Sequence, residues 1–140
     1  MRRKNKLFIT VLILGILCSC MLISCGDGIA TDEAKVFIND FLTAVSAEDY
    51  AKAEEFLHPD RPAELEPFIN ECEEQKGIDF SSGVSIERYT GFNYSYYDST
   101  VDGSSYELTM KAKVGDKSVS ITVEIVQNDN GYGIYNFYID

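Results

Sequence analysis

From Tyr106 to Ile125 the chain alternates apolar and polar residues twice over. Tyr106, Leu108, Met110, Ala112 and Val114 alternate with Glu107, Thr109, Lys111 and Lys113. After Gly115-Asp116, Val119, Ile121, Val123 and Ile125 alternate with Ser118, Ser120, Thr122 and Glu124. A period of two belongs to a strand, because successive side chains leave opposite faces of the backbone. Each run therefore predicts a strand with one dry and one wet face, and the short break between them predicts a hairpin. Asn128-Asp129-Asn130-Gly131 predicts a second turn, leading into a last strand from Tyr132 to Ile139. Upstream, Val84 to Tyr97 is rich in strand formers, with Gly91 as a candidate bulge. A four-stranded antiparallel meander with one apolar face follows, and that face has to be covered by the rest of the chain.

The cover comes first in the sequence. Thr31 or Asp32 can cap a helix whose apolar residues Ala34, Phe37, Ile38, Phe41, Leu42 and Val45 recur at helical spacing. Ser46, with Asp49 three residues on, predicts the cap of a second helix carrying Tyr50, Ala53, Phe56 and Leu57. His58-Pro59-Asp60-Arg61-Pro62 ends it, because a residue before proline is pushed out of the helical region. A third helix is expected from near Glu66 or Pro67. Leu65, Phe68, Ile69 and Cys72 would lie on one side and Glu71, Glu73, Glu74 and Lys76 outside, with Gly77 as the stop. Helices followed by a four-stranded antiparallel sheet make an α+β domain over residues 31–140, with the helices covering one face of the sheet. With 45% hydrophobic residues, nine Tyr and eight Phe, the chain has the material for a core.

The N-terminal 24 residues are of another kind. Arg2, Arg3, Lys4 and Lys6 precede an apolar run from Leu7 to Ile23, the pattern of an export signal. The signal ends in Leu22-Ile23-Ser24-Cys25-Gly26, which resembles the bacterial lipobox. That resemblance implies a diacylglyceryl group on Cys25 and cleavage before it, with Cys20 and Cys18 less well framed. An uncleaved span over Leu7 to Ile23 is the alternative, since about 17 residues is at the lower edge of spanning length. Either route predicts an extracytoplasmic domain at the membrane, on a tether covering residues 25–30. Cys18 and Cys20 would leave with the signal and Cys25 would carry lipid, so Cys72 alone remains and no internal disulfide can form. From Cys25 onward, 8 basic residues face 23 acidic ones, a net −15. Such a surface repels phosphate backbones and excludes a nucleic-acid binder.

Together, the Leu22-Ile23-Ser24-Cys25 signal, the opening Val36-Phe37-Ile38-Asn39-Asp40-Phe41-Leu42 helix, the Glu48-Asp49-Tyr50 followed by Ala51-Lys52-Ala53, and the closing Asn130-Gly131-Tyr132-Gly133-Ile134-Tyr135-Asn136-Phe137 resemble small bacterial lipoproteins with a nuclear-transport-factor-2-like (cystatin-like) domain. The resemblance implies a curved, cone-like sheet (a cystatin-like fold) wrapped on a helix and open at one end. Some members of that superfamily are isomerases and dehydratases, but none of their catalytic motifs carries over onto this sequence.

Few residues are candidates for chemistry. His58 is the only histidine, so it is a candidate general base with Asp60 as its orienting carboxylate; a solvated loop residue is the plainer reading. Cys72 falls on the apolar stripe of its helix and reads as a core thiol. Asp98-Ser99-Thr100-Val101-Asp102-Gly103 has part of a calcium-loop pattern, but its twelfth position is Thr109, so a polar hairpin loop is expected and no metal or cofactor. Glu64, Glu66, Glu71, Glu73 and Glu74 read as a solvated helix face. The strands are rich in tyrosine, a residue suited to sites with one dry and one wet end. Tyr94, Tyr96, Tyr106 and Tyr135 are the candidate ligand-binding set. Two functions follow as expectations: a non-catalytic binding module for a small molecule, cell-wall fragment or protein partner, or an acid–base enzyme working in the cone.

Overall fold

The computed structural model describes residues 31–140; the signal segment, Cys25 and the tether lie outside the described residues. Helix α1 spans Thr31–Ser46, α2 Tyr50–Glu54 and α3 Leu65–Lys76, followed by a 3-10 turn at Phe80–Ser82. Four strands complete the chain: β1 (Val84–Asp98), β2 (Gly103–Val114), β3 (Lys117–Asn128) and β4 (Gly131–Ile139). They form one antiparallel sheet in the order β1-β2-β3-β4, so the fold is α+β with helices packed on a curved sheet that does not close. No helix among the described residues is long and apolar enough to cross a membrane.

The periodicities set the packing. Ala34, Ile38, Phe41, Leu42 and Val45 of α1 are buried against the sheet face built from Leu108, Met110, Ala112, Ile121, Val123 and Ile125. At ~25 cal/mol per Å², each such large side chain contributes about 1.5–3 kcal/mol, an upper bound because the unfolded chain already hides part of it. Phe41 meets Phe56 and Phe137 edge-on, with ring centroids 6.3 and 5.5 Å away. Phe37 bridges Phe56 and Tyr132 at 5.0 and 4.8 Å.

Across the sheet the helix-facing residues align in rows of four. Tyr94, Tyr106, Ile125 and Ile134 form one row, Phe92, Leu108, Val123 and Phe137 the next, and Tyr89, Met110, Ile121 and Ile139 the third. The central strands reach each new row in two residues. Both edge strands need three, at Tyr89 to Phe92 and at Ile134 to Phe137, because each carries an extra residue there, Thr90 in β1 and Tyr135 in β4. An extra residue restores the phase, so apolar side chains on both sides of the bulge point inward, and it adds local twist. Bulging beside Gly91 is as the sequence predicts; the one at Tyr135 is not foreseen.

Two helix predictions shift. The second helix is capped by Asp49, whose carboxylate accepts the Lys52 N–H at 3.2 Å, and not by Ser46. Glu48 at φ 55° has already broken the chain away from α1. That helix stops at Glu54, which frees Phe56 and Leu57 to reach the sheet. Gly77, at φ 60° with its N–H on the Glu73 carbonyl, closes α3 as expected. Glu73 departs from the solvated face: its carboxylate accepts the Phe80 N–H at 2.7 Å, tying α3 to the buried Phe80.

Candidate functional site

At its open end the sheet carries an uncovered strip of aromatic rings. Tyr106 of β2 is only 6% exposed, and Tyr94 and Phe92 of β1 lean over it with ring centroids 4.5 and 5.8 Å away. Phe92 is 55%, Tyr94 37% and Tyr96 74% exposed among the described residues. Phe92 and Tyr94, two residues apart, share the face of Tyr106; Tyr96 follows where β1 slips register between Ser95 and Asp98. Burial, then the neighbouring Tyr94, raises the Tyr106 hydroxyl above the usual tyrosine range. Tyr132 is pushed up to about 12 by burial, with the Glu33 carboxylate and Tyr106 adding to it. The exposed Tyr97 is engaged elsewhere: its hydroxyl donates to Asp102 at 2.6 Å.

The opposite edge is organised around His58. Leu57 forms a parallel bridge to Ile134; the His58 N–H donates to the Ile134 carbonyl and the Ile134 N–H to the Phe56 carbonyl, both at 2.8 Å. This close approach requires Gly133, where a Cβ would lie 2.5 Å from the His58 nitrogen and 2.6 Å from the Leu57 carbonyl carbon. The His58 ring is fully buried. Its Nδ1 accepts the Asp60 N–H at 3.1 Å, so the proton belongs on Nε2, which donates to the Gly131 carbonyl at 3.1 Å. Both ring nitrogens are thus committed inside the protein. The expectation of a solvated loop histidine is incorrect, and a general base has no lone pair left for a substrate. The Pro-bracketed segment is a strap that fastens itself to β4.

Asp60 faces outward from this strap. Its carboxylate accepts from the Asn128 and Asn130 side chains at 3.0–3.2 Å, and these bonds, Asn128 first, hold it below the usual carboxylate range. Beyond Asp60 the strap parts from β4 and leaves a cleft of about 440 Å³, walled by Pro62, Leu65 and Phe68 on one side and Phe137 and Tyr138 on the other. Arg61 stands in it, held in place by a 2.9 Å hydrogen bond from Nη2 to Asn136 Oδ1 and by the Tyr135 ring 4.8 Å beneath its guanidinium. Asn136 is fixed in turn by donating to Glu124.

The four candidate tyrosines therefore do not form one site. Tyr94, Tyr96 and Tyr106 belong to the open strip, whereas Tyr135, the bulge residue of β4, packs on His58 at 5.6 Å and beneath Arg61 three strands away. The polar Asp98–Gly103 segment is the β1–β2 turn, as expected. Asp98 accepts from the Thr100 N–H and hydroxyl at 2.8 and 2.6 Å, bonds that lower its pKa. Cys72 is half-buried against the core rather than fully inside it, and burial raises its thiol above the ordinary range, with Glu71 adding to that. Among the described residues no three His, Cys, Asp or Glu side chains converge as a metal site would require. The cleft residues Arg61, Asn136 and Phe137 carry no sequence signature; only the two prolines around Arg61 mark where the chain must leave the helix.

No family model, no curated protein and no solved structure matches the chain.

Proposed function

We propose that the protein is a membrane-anchored, extracytoplasmic binding module, held by lipid on Cys25, with no chemistry of its own. Its aromatic strip takes a cell-wall glycan fragment. The observation behind this reading is the exposed pair Phe92 and Tyr94 set against the buried Tyr106, with the exposed Tyr96 next to them along β1. Rings with polar tips offer flat apolar faces and hydroxyl donors together, which suits a sugar ring better than a purely apolar ligand. Eight basic against 22 acidic residues over 31–140 disfavour polyanionic ligands. Helices first and a curved sheet last is also the order that the resemblance to nuclear-transport-factor-2-like lipoproteins implies, and we retain that kinship as part of the proposal. The acid–base alternative is disfavoured because its only histidine is fully engaged.

Tyrosine fluorescence of the full chain in nonionic detergent, which no Trp obscures, tests the binding. Soluble muropeptides or chito-oligosaccharides should give saturable changes, and Tyr96→Ala and Phe92→Ala should weaken them at least about tenfold. Unchanged affinity in both variants would refute the site. For the anchor, Cys25→Ala should lose metabolic labelling by a lipid precursor; retained label would refute that assignment.

A further inference from the structure

We infer a second binding site in the cleft beside β4: a slot for the free C-terminal end of an extended peptide, which adds as a short antiparallel strand to β4 and places its carboxylate on Arg61. Three features of the edge lead there.

The first is an unused pair of backbone groups. Ser120 and Asp140 exchange both backbone bonds, at 2.8 and 2.9 Å. In an antiparallel ladder this role falls to alternate residues. Tyr138 and Asn136 therefore bond to β3, and the N–H and C=O of Phe137 point outward, where nothing among the described residues bonds to them. The cleft opens beside this residue.

The second is that this edge already takes backbone bonds from another segment, at the single bridge of Leu57 to Ile134, and is closed there. The outward groups of Ile134 are taken by Phe56 and His58, with the bulge at Tyr135 between them and Phe137. A chain added at Phe137 cannot run on in register past that bridge, so the slot suits a terminus and not a passing segment.

The third is the charge at the closed end. In a domain dominated by acidic residues, Arg61 makes no ion pair among the described residues. It is nevertheless fixed by Asn136 and Tyr135, with guanidinium donors to spare. A peptide antiparallel to β4 runs from the Tyr138 end toward Asn136 and arrives at Arg61 with its carboxylate. A parallel one would bring its ammonium group to the same cation. Strand addition supplies affinity and the fixed guanidinium selects the charged end. The acidic surface disfavours a second copy of this chain as the occupant and favours a peptide with basic residues before its terminus.

Fluorescence anisotropy of the full chain in nonionic detergent tests this. The probe is a hexapeptide with a fluorescein-labelled N-terminus, two lysines and then alternating valine and threonine. The free acid should bind saturably below about 1 mM. Its C-terminal amide and a form N-methylated at the last residue should each bind at least about tenfold more weakly. Arg61→Gln should bind acid and amide alike with an unchanged Tm, since Arg61 is exposed, while Tyr96→Ala should leave peptide binding intact. Absence of binding by the free acid, equal binding of acid and amide to the wild-type chain, or an acid preference that survives Arg61→Gln would overturn the proposal. Loss of glycan binding at the aromatic strip would not bear on it.

Discussion

The two edge strands of the sheet meet the same hazard in different ways. An edge strand offers unpaired backbone to any passing chain. β1 is 15 residues long, among the described residues no segment other than β2 is bridged to it, and it breaks its own regularity with three register shifts. β4 has nine residues and one shift, and it is partly capped by the strap whose His58 is sealed inside. Disruption leaves side chains available, as in the aromatic strip, whereas covering leaves backbone available only where the cover stops. The two candidate sites follow from that difference.

Substitutions that separate the edges sharpen the contrast. Gly133→Ala forces a Cβ into the backbone of Leu57 and His58, so about 3 kcal/mol should be lost in urea unfolding. At Gly91 on the other edge a Cβ meets only the Thr109 side chain, at 3.1 and 3.3 Å, and Gly91→Ala should stay within about 1 kcal/mol. Equal costs at both positions would break the comparison.

His58→Phe keeps an aromatic ring, though a larger one, and strands the Gly131 carbonyl and the Asp60 N–H, for an expected loss of about 2 kcal/mol or more. Amide exchange should quicken at Ile134 in that variant while β1 stays as protected as before.

Alkali gives a third handle. Tyr132 has a folded pKa raised to about 12 against 10.0 when free, so the native state holds its proton longer than the unfolded one. Its contribution is fully present below pH 10 and is lost as pH rises toward 12. Melting temperature should fall over that window, and less steeply in Tyr132→Phe; Tyr50, Tyr89, Tyr97 and Tyr106, also raised, supply the remainder. An unchanged slope in Tyr132→Phe would contradict the packing of Tyr132 under Phe37. The smallest effects belong to Phe92→Ala and Tyr96→Ala, which should shift stability by no more than about 0.5 kcal/mol because both side chains are largely exposed.

The layout was legible in the sequence because periodicity reports burial directly. The alternation of β2 and β3 and the stripe of α1 correspond to single-face contacts, and the stop at Gly77 to a left-handed cap. The edges were less legible. A bulge changes the parity of alternation without changing composition, so the phase shift at Tyr135 left Tyr135 looking like a companion of Tyr94. His58 was misread for a related reason: prolines on both sides signal a loop, but whether that loop lies against a strand depends on Gly133, 75 positions away. The cleft depends on where the strap diverges from β4, a tertiary fact with no local motif.

If the exposed aromatic rings of β1 are the ligand surface, ligand must perturb them first. Amide and aromatic NMR shifts of the full chain in detergent, followed during titration with soluble muropeptides, test it most directly. Saturable shifts centred on Phe92, Tyr94, Tyr96 and Tyr106 are expected, and they should vanish in Tyr96→Ala. Shifts centred elsewhere, or none at all, would contradict it.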